Sequence, residues 1–266
     1  MRIFLFVESI LRKQVLLLIV LQVVLAFRAT AQLSPEQLGS KWGYVNAKGE
    51  VVIQPKFDSA GAFSEGLAKV EKDKKYGYIN ESGTVVIAPR YFAGGPFKDG
   101  YAWVLTSKPL QPLGKGEYGV ALFGKVTYID RTGRQIRPPF SAEHVRNFSD
   151  GLAAVRPGNI TGGCGGKAGY LDTRGQWKIK PQFDDGGDFS EGLAPVNVGA
   201  KCHIGGKWGY IDLTGKAAIS FKYNFATPFK NGKACVSNGR SWMLITKNDE
   251  GTPVGKADCL SFESDE

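Results

Sequence analysis

Residues 41–57 read Lys41-Trp42-Gly43-Tyr44-Val45-Asn46-Ala47-Lys48-Gly49-Glu50-Val51-Val52-Ile53-Gln54-Pro55-Lys56-Phe57, and residues 63–70 read Phe63-Ser64-Glu65-Gly66-Leu67-Ala68-Lys69-Val70. Asn46-x-x-Gly49 between two apolar runs is a tight hairpin turn, in which the Asx side chain caps its own backbone and glycine takes the positive φ that other residues avoid. Val51-Val52-Ile53 has the β-branched content of a strand. Pro55 then ends the ladder, because it has no N–H to donate. Phe63-x-Glu65-Gly66 reads as a second turn that anchors an aromatic in the core, and Leu67–Val70 as the strand that follows. Nothing in these stretches has a helical period.

The same pattern returns along the chain. Tyr44, Tyr78, Tyr128, Tyr170 and Tyr210 are each followed two residues later by Asn46, Asn80, Asp130, Asp172 or Asp212, and three further on by Gly49, Gly83, Gly133, Gly175 or Gly215. Pro55, Pro89, Pro139 and Pro181 come six residues after the glycine, with Phe221 as the exception. Phe63, Phe97, Phe148, Phe189 and Phe229 open the turns FSEG, FKDG, FSDG, FSEG and FKNG. The units start at 41, 75, 125, 167 and 207, with a partial copy from 240, and together form a repeat domain over 41–254. Cut at the proline, each unit holds about four short strands, the strand count of a propeller blade. The fold predicted is therefore all-β: tandem repeats of about 34 residues in a five- or six-bladed propeller-like ring, with an open β-solenoid as the alternative. A ring would be closed by residues 257–262 completing the half-blade at 41–53. Residues 32–40 read as a short linker and 255–266 as a C-terminal tail.

These motifs resemble the WG-repeat (KWG-repeat) family of bacterial proteins. The resemblance rests on Lys41-Trp42-Gly43-Tyr44, Lys207-Trp208-Gly209-Tyr210, the downstream glycine and proline, and the FSEG-Leu-Ala steps at 63–68 and 189–194. The middle copies depart from it: Tyr76, Val126 and Ala168 stand where the tryptophan would be, and Thr127 replaces the glycine. Such a family is defined by its repeat and not by a shared reaction, so the resemblance implies an interaction role and no chemistry.

The first 31 residues differ from the rest. Arg12 and Lys13 precede an apolar run from Val15 to Phe27, and Ala29-Thr30-Ala31 offers the small residues that a signal peptidase reads. A membrane span needs about 20 apolar residues, and Glu8, Arg12 and Lys13 interrupt any backward extension of this run. The expectation is a signal peptide cleaved after Ala31, no stable span thereafter, and a mature chain in the periplasm, on the cell surface or outside the cell. Losing Arg2, Arg12, Lys13, Arg28 and Glu8 lowers the formal net charge from +9 to +6. A thin positive excess of this kind reads first as solubility, and second as a match for anionic surfaces such as polysaccharide or lipid headgroups. No aromatic-basic motif points to nucleic acid. Four cysteines in an oxidising compartment suggest disulfides, with three possible connectivities and free thiols as the alternative; the preferred pairing is Cys164 with Cys202, in equivalent loops of neighbouring units, and Cys235 with Cys259, clasping the C-terminus. No spacing suits a structural metal, and nothing implies a cofactor.

Unit lengths locate a candidate surface. Tyr44 to Tyr78 spans 34 residues, whereas the next three intervals are 50, 42 and 40. The excess falls in the loops 107–124, 157–166 and 198–206, between the Leu-Ala-x-Val strand and the next Lys-x-Gly-Tyr. Equivalent loops of successive units lie on one face, where a rigid scaffold usually presents its binding groups. Lys108, Lys115, Tyr118, Phe123, Arg156 and His203 are the candidate binding residues. Trp42, Tyr44, Tyr78, Tyr128, Tyr170, Trp208 and Tyr210 hold fixed places in the repeat and read as core packing before sugar-stacking platforms. Glu65, Asp99, Asp150 and Glu191 belong to turns and do not form a glycosidase pair. The reading is a non-catalytic module that binds a protein or polysaccharide of the cell envelope, the alternative being a structural spacer without a specific ligand.

Overall fold

A computed structural model describes residues 33–108, 114–116, 119–137, 140–158, 166–201 and 204–264. The first unit is a three-stranded sheet of β1 (Ser34–Leu38), β2 (Lys41–Val45) and β3 (Val51–Phe57). The second contains β4 (Ser59–Ser64), β5 (Leu67–Lys72), β6 (Lys75–Asn80) and β7 (Val85–Tyr91). The third has β8 (Ala93–Gly94), β9 (Tyr101–Leu105), β10 (Gly114–Gly116) and β11 (Gly119–Asp130). The fourth has β12 (Phe140–Ser149), β13 (Leu152–Pro157), β14 (Ala168–Asp172) and β15 (Trp177–Phe183). The fifth comprises β16 (Asp185–Gly186), β17 (Leu193–Lys201), β18 (Ile204–Asp212) and β19 (Ala217–Tyr223). In the sixth, β20 (Phe225–Ala226), β21 (Lys233–Ser237), β22 (Trp242–Thr246) and β23 (Gly251–Val254) precede the helix α1 (Lys256–Ser264). Every pairing is antiparallel, and the sheets are small and all-β, as the repeat requires.

Alternation along the second strand of each unit builds the core. Ala68 and Val70 join the first-sheet residues Tyr44, Ile53 and Phe57, while Leu67 turns the other way to Phe97, Ala102 and Val104 of the third unit. Because successive side chains of a strand point to opposite faces, one strand serves two interfaces. The same arrangement places one apolar cluster between each neighbouring pair of units. The repeat tyrosine crosses that interface. Tyr44, Tyr78, Tyr128, Tyr170 and Tyr210 are each fully buried. Each packs 4.9 Å, centroid to centroid, from Phe63, Phe97, Phe148, Phe189 or Phe229 of the following unit. Their hydroxyls donate to carbonyls in that unit's first strand, at Gly61 and Arg146, or just after it, at Gly95, Gly187 and Thr227. Burial pushes these phenols well above their usual range wherever a shift is resolved, so they remain protonated donors.

The glycine of Lys-x-Gly-Tyr has a steric cause. The outer strand bulges over it, and a Cβ on Gly77 would lie 2.6 Å from the Pro89 nitrogen; one on Gly169 would lie equally close to the Pro181 nitrogen. The third unit, where Thr127 replaces glycine, keeps only an isolated bridge of Gln135 to Ile129 in place of the outer strand. There the Thr127 hydroxyl donates to the Arg137 carbonyl at 2.7 Å. The loss of the glycine and the loss of the bulged strand therefore occur together.

Three features differ from the sequence expectation. Ser34–Leu38, read as linker, is a strand paired to β2 from Ser34↔Val45 to Leu38↔Lys41. Residues 257–262 do not close a ring as a strand, because they belong to α1, which packs on β21 and β22. β11 extends beyond its own unit to pair with β12, through Val120↔Val145 and Val126↔Phe140, which joins the third and fourth units into one sheet. The enlarged loop 107–124 is thus partly strand. Cys235 is bonded to Cys259 with their Cα atoms 5.4 Å apart, fastening α1 to the last sheet as expected. Cys164 and Cys202 lie outside the described residues.

Candidate functional site: the loop face

The units expose two opposite ends, and the repeat treats them differently. At one end lie the Phe-x-acid-Gly turns. Glu65, Asp99, Asp150, Glu191 and Asn231 all adopt positive φ, between 50° and 54°, as does the glycine after each. These carboxylates link unit to unit. Glu65 accepts from Gly100 N at 3.0 Å, Asp99 from Gly151 N at 2.8 Å, Asp150 from Gly192 N at 2.7 Å, and Glu191 from Gly232 N at 3.0 Å. Each acid therefore reads the next unit's turn. That engagement gives each acid a structural role in the turn. The role as a chain of links was not visible in the sequence, where the partner lies 35 to 52 residues away.

The hairpin turns between third and fourth strands share this end. Asn46 Oδ1 accepts from Lys48 N and Glu50 N, and Asn80, Asp130, Asp172 and Asp212 repeat the arrangement. Gly232 N–H holds the Glu191 carboxyl below the ordinary range, with Lys247 assisting. Burial alone would raise Asp184, but Lys167 and the Gly199 and Ala200 amides outweigh it and hold this carboxyl low. A carboxylate whose folded pKa is depressed contributes stability above its unfolded pKa, near 4, and loses it as pH falls through the folded value. The urea midpoint is therefore expected to stay level from about pH 7 to 5 and to drop below about pH 4. Glu191→Gln, which keeps an acceptor but does not titrate, should reduce that drop.

At the opposite end lie the connections between second and third strands, including all three enlarged loops. A +17 spacing ties them together. Lys41 donates to Asp58, Lys167 to Asp184 and Lys207 to Asn224, while Lys75 sits over the Phe92 ring, 3.0 Å from its centroid. Asp184 also accepts from Gly199 N at 2.7 Å and Ala200 N at 3.1 Å, which holds the base of the β17–β18 hairpin. Two hairpins extend from this face: β10–β11, paired from Gly114↔Ala121 to Gly116↔Gly119, and the β17–β18 tip, paired through Lys201↔Ile204. Ile204 on that tip is 79% exposed.

Of the candidate binding residues, Lys108 is exposed on this face. Lys115 lies in β10 and Phe123 in β11. Tyr118 and His203 fall outside the described residues. Arg156 is not available to a partner: it is 5% exposed, donates to the Asp184 carbonyl at 2.9 Å and pairs with Asp185 at 2.8 Å. Its position at a strand end before an enlarged loop suggested exposure, but the Asp184-Asp185 pair of the next unit folds over it. Asp188 pairs with Arg146 at 3.6 Å, so Asp184, Asp185 and Asp188 each face a different cation and do not converge as metal ligands. The repeat aromatics divide. The five tyrosines are core, as read from sequence, but Trp42, Tyr76 and Trp208 are only half-buried at the loop end of their strands.

Comparison with known proteins agrees with this architecture. A crystal structure of a eukaryotic initiation factor matches with a TM-score of 0.52 at 12% identity, over 83% of this chain. The chain spans 62% of that protein's length, and the likeness concerns the fold alone. TolB from Agrobacterium tumefaciens (TM-score 0.36, 11% identity, 77% of this chain and 83% of that) and the AfRom2 CNH domain (0.37, 9%, 85% and 84%) are more distant. Among curated proteins none matches. No helix among the described residues is long and apolar enough to cross a membrane. The model of the WG containing repeat matches residues 42–76, 76–106, 169–202 and 208–242, leaving out the stretch where Thr127 stands and the two units are joined. With four matches over half of its length, and with the Gly–Pro bulge and Tyr–Phe pairs that explain the motif, the chain belongs to the WG-repeat family.

Proposed function

We propose that this protein is an exported, non-catalytic binding module that engages a protein or polysaccharide of the cell envelope through its loop face. One observation carries the reading. Nearly all the length that exceeds the basic repeat emerges at one end of the units, on a scaffold whose opposite end is occupied by unit-to-unit links. Extra chain at the linking end would break those contacts, whereas at the loop end it is free to vary and to meet a partner. The acidic residues that a hydrolase could use are engaged by backbone amides, which favours binding over chemistry. The signal-peptide pattern at 1–31 supports export, and the longest loop, 107–124, mixes cations with apolar groups as a partner surface would.

The test is an affinity capture from cell-envelope extract with residues 32–266 as bait, beside a variant in which 108–123 is replaced by a four-residue turn. That variant keeps the pairings Leu105↔Val126 and Lys125↔Ser141, so its sheet survives. A partner held by the parent and lost by the folded variant is the expected result. Identical capture by both would move the structural-spacer reading ahead.

A further inference from the structure

We infer that the first unit holds an open strand site, in which β1 takes an extended, glycine-bearing segment of a protein partner as the first strand that its sheet lacks. The second strand of every later unit has a first strand beside it: β4 against β5, β8 against β9, β12 against β13, β16 against β17 and β20 against β21. β1 holds the same place, with Pro35 opposite Tyr44 as Pro195 is opposite Tyr210. Among the described strands it pairs with β2 alone, so the first sheet is one strand short. The later units show what that strand would bond. Asp58, Phe92, Asp184 and Asn224 donate their amides to the carbonyls of Glu71, Leu105, Asn197 and Ser237, each in the register place of Gln37. Gly95, Gly187 and Thr227 donate to the carbonyls of Trp103, Pro195 and Cys235, each in the place of Pro35. The Pro35 and Gln37 carbonyls therefore face the open edge of β1, where main-chain bonds can add a strand. Pro35 has no N–H for that edge, yet Pro195 in the same place still seats its strand.

The chain before β1 is not built to supply this strand. In the later units the turn from first to second strand ends on Gly66, Gly100, Gly151, Gly192 or Gly232, with φ between 74° and 84°. Residues 29–32 read Ala-Thr-Ala-Gln, which puts Gln32 where that turn needs glycine. Cleavage after Ala31, as the sequence suggests, also removes everything before it. A second copy of β1 fits poorly, because Pro35 leaves this edge with the Gln37 amide as the one donor between Ser34 and Leu38. A partner's segment must instead carry glycine opposite Pro35. In the fifth unit a Cβ on Gly187 would meet the Pro195 ring at 2.6 Å, and Pro35 presents the same ring. Three residues before that glycine an acid has a use. The Asp184 carboxylate accepts from Gly199 N and Ala200 N, and that of Asp58 from Asp73 N. Gly39 N is the corresponding donor in the first unit. The segment that fits is thus an extended Asp-x-x-Gly, the pattern of Asp58–Gly61 and Asp184–Gly187.

The test titrates a labelled peptide of residues 182–190, which carries Asp184–Gly187, with residues 32–266, followed by fluorescence anisotropy and amide exchange. Saturable binding is expected, with exchange slowed at Gln37 and Gly39. Replacing 108–123 by a four-residue turn should leave it unchanged, so this site stands or falls apart from the loop face. The peptide with Gly187→Ala should bind about tenfold more weakly, as an overpacked contact does. Pro35→Ala in the protein removes the opposing ring and should restore that peptide's binding. Absence of binding, equal binding of both peptides to the parent, or protection away from β1 would overturn the inference. Dimers of 32–266 that the peptide dissociates would assign the edge to a second copy. Protection of Gln37 in chain 1–266 but not in 32–266 would assign it to the protein's own N-terminal segment; either result would overturn the partner assignment.

Discussion

Tyr170→Ala is expected to lower the unfolding free energy by about 3–5 kcal/mol, the loss typical of deleting a buried aromatic ring. Its ring packs on Phe189 and its hydroxyl donates to the Gly187 carbonyl at 2.9 Å, so the substitution opens a cavity and frees an acceptor across one interface. Tyr170→Phe keeps the ring and strands only that acceptor, for which about 1–3 kcal/mol is expected. Urea unfolding followed by near-ultraviolet circular dichroism measures both. In a repeat array each interface contributes through its nearest neighbours, so Tyr78→Ala, against Phe97, should cost a similar amount. A small effect at Tyr170 would mean that the Tyr–Phe pairs do not hold the units together.

The second large effect is expected at Gly77. A Cβ there would meet the Pro89 nitrogen at 2.6 Å and the Ala88 carbonyl carbon at 2.9 Å, both backbone atoms that cannot rotate away. Gly77→Ala should therefore unseat the outer strand β7 from β6 and cost at least about 1–3 kcal/mol, the range for overpacking. Gly49→Ala is the comparison. Gly49 has φ of +78° but open space around it, so only the left-handed backbone penalises a side chain, by about 1–2 kcal/mol. Amide exchange separates the two mechanisms. Gly77→Ala should speed exchange throughout β7, whereas Gly49→Ala should affect the hairpin turn at 46–50 alone.

Much of this fold is legible in the sequence because each repeat position has a local physical cause. Asn46-x-x-Gly49 caps itself, and its four later copies do the same, so the turns could be read without tertiary knowledge. The Cys235–Cys259 bond followed from two cysteines left at the C-terminal end. What could not be read depends on distant partners. Ser34–Leu38 contains Pro35, Glu36 and Gln37, poor strand formers, and is a strand because β2 offers it an edge. α1 carries little apolar character of its own and is held by Cys259, the one residue of its described side chains that is buried. Thr127 was seen as a departure, but its consequence, the missing outer strand, required the bulge geometry that makes glycine necessary. Arg156 was assigned to the surface by its position, and only the fold of the following unit places Asp185 against it. The loop face itself was legible from unequal repeat lengths, whereas the links at the other end depend on which carboxylates reach across units.

Hydrogen–deuterium exchange of residues 32–266, alone and with the partner captured from the envelope, tests the central claim most directly. Slowed exchange on binding is expected in 106–108, 124–125 and 198–201, with the Gly100, Gly151, Gly192 and Gly232 amides, already held by carboxylates, unchanged. Protection confined to those turns or to the outer strands β3 and β7, with the loops unaffected, would contradict the assignment of function to the loop face.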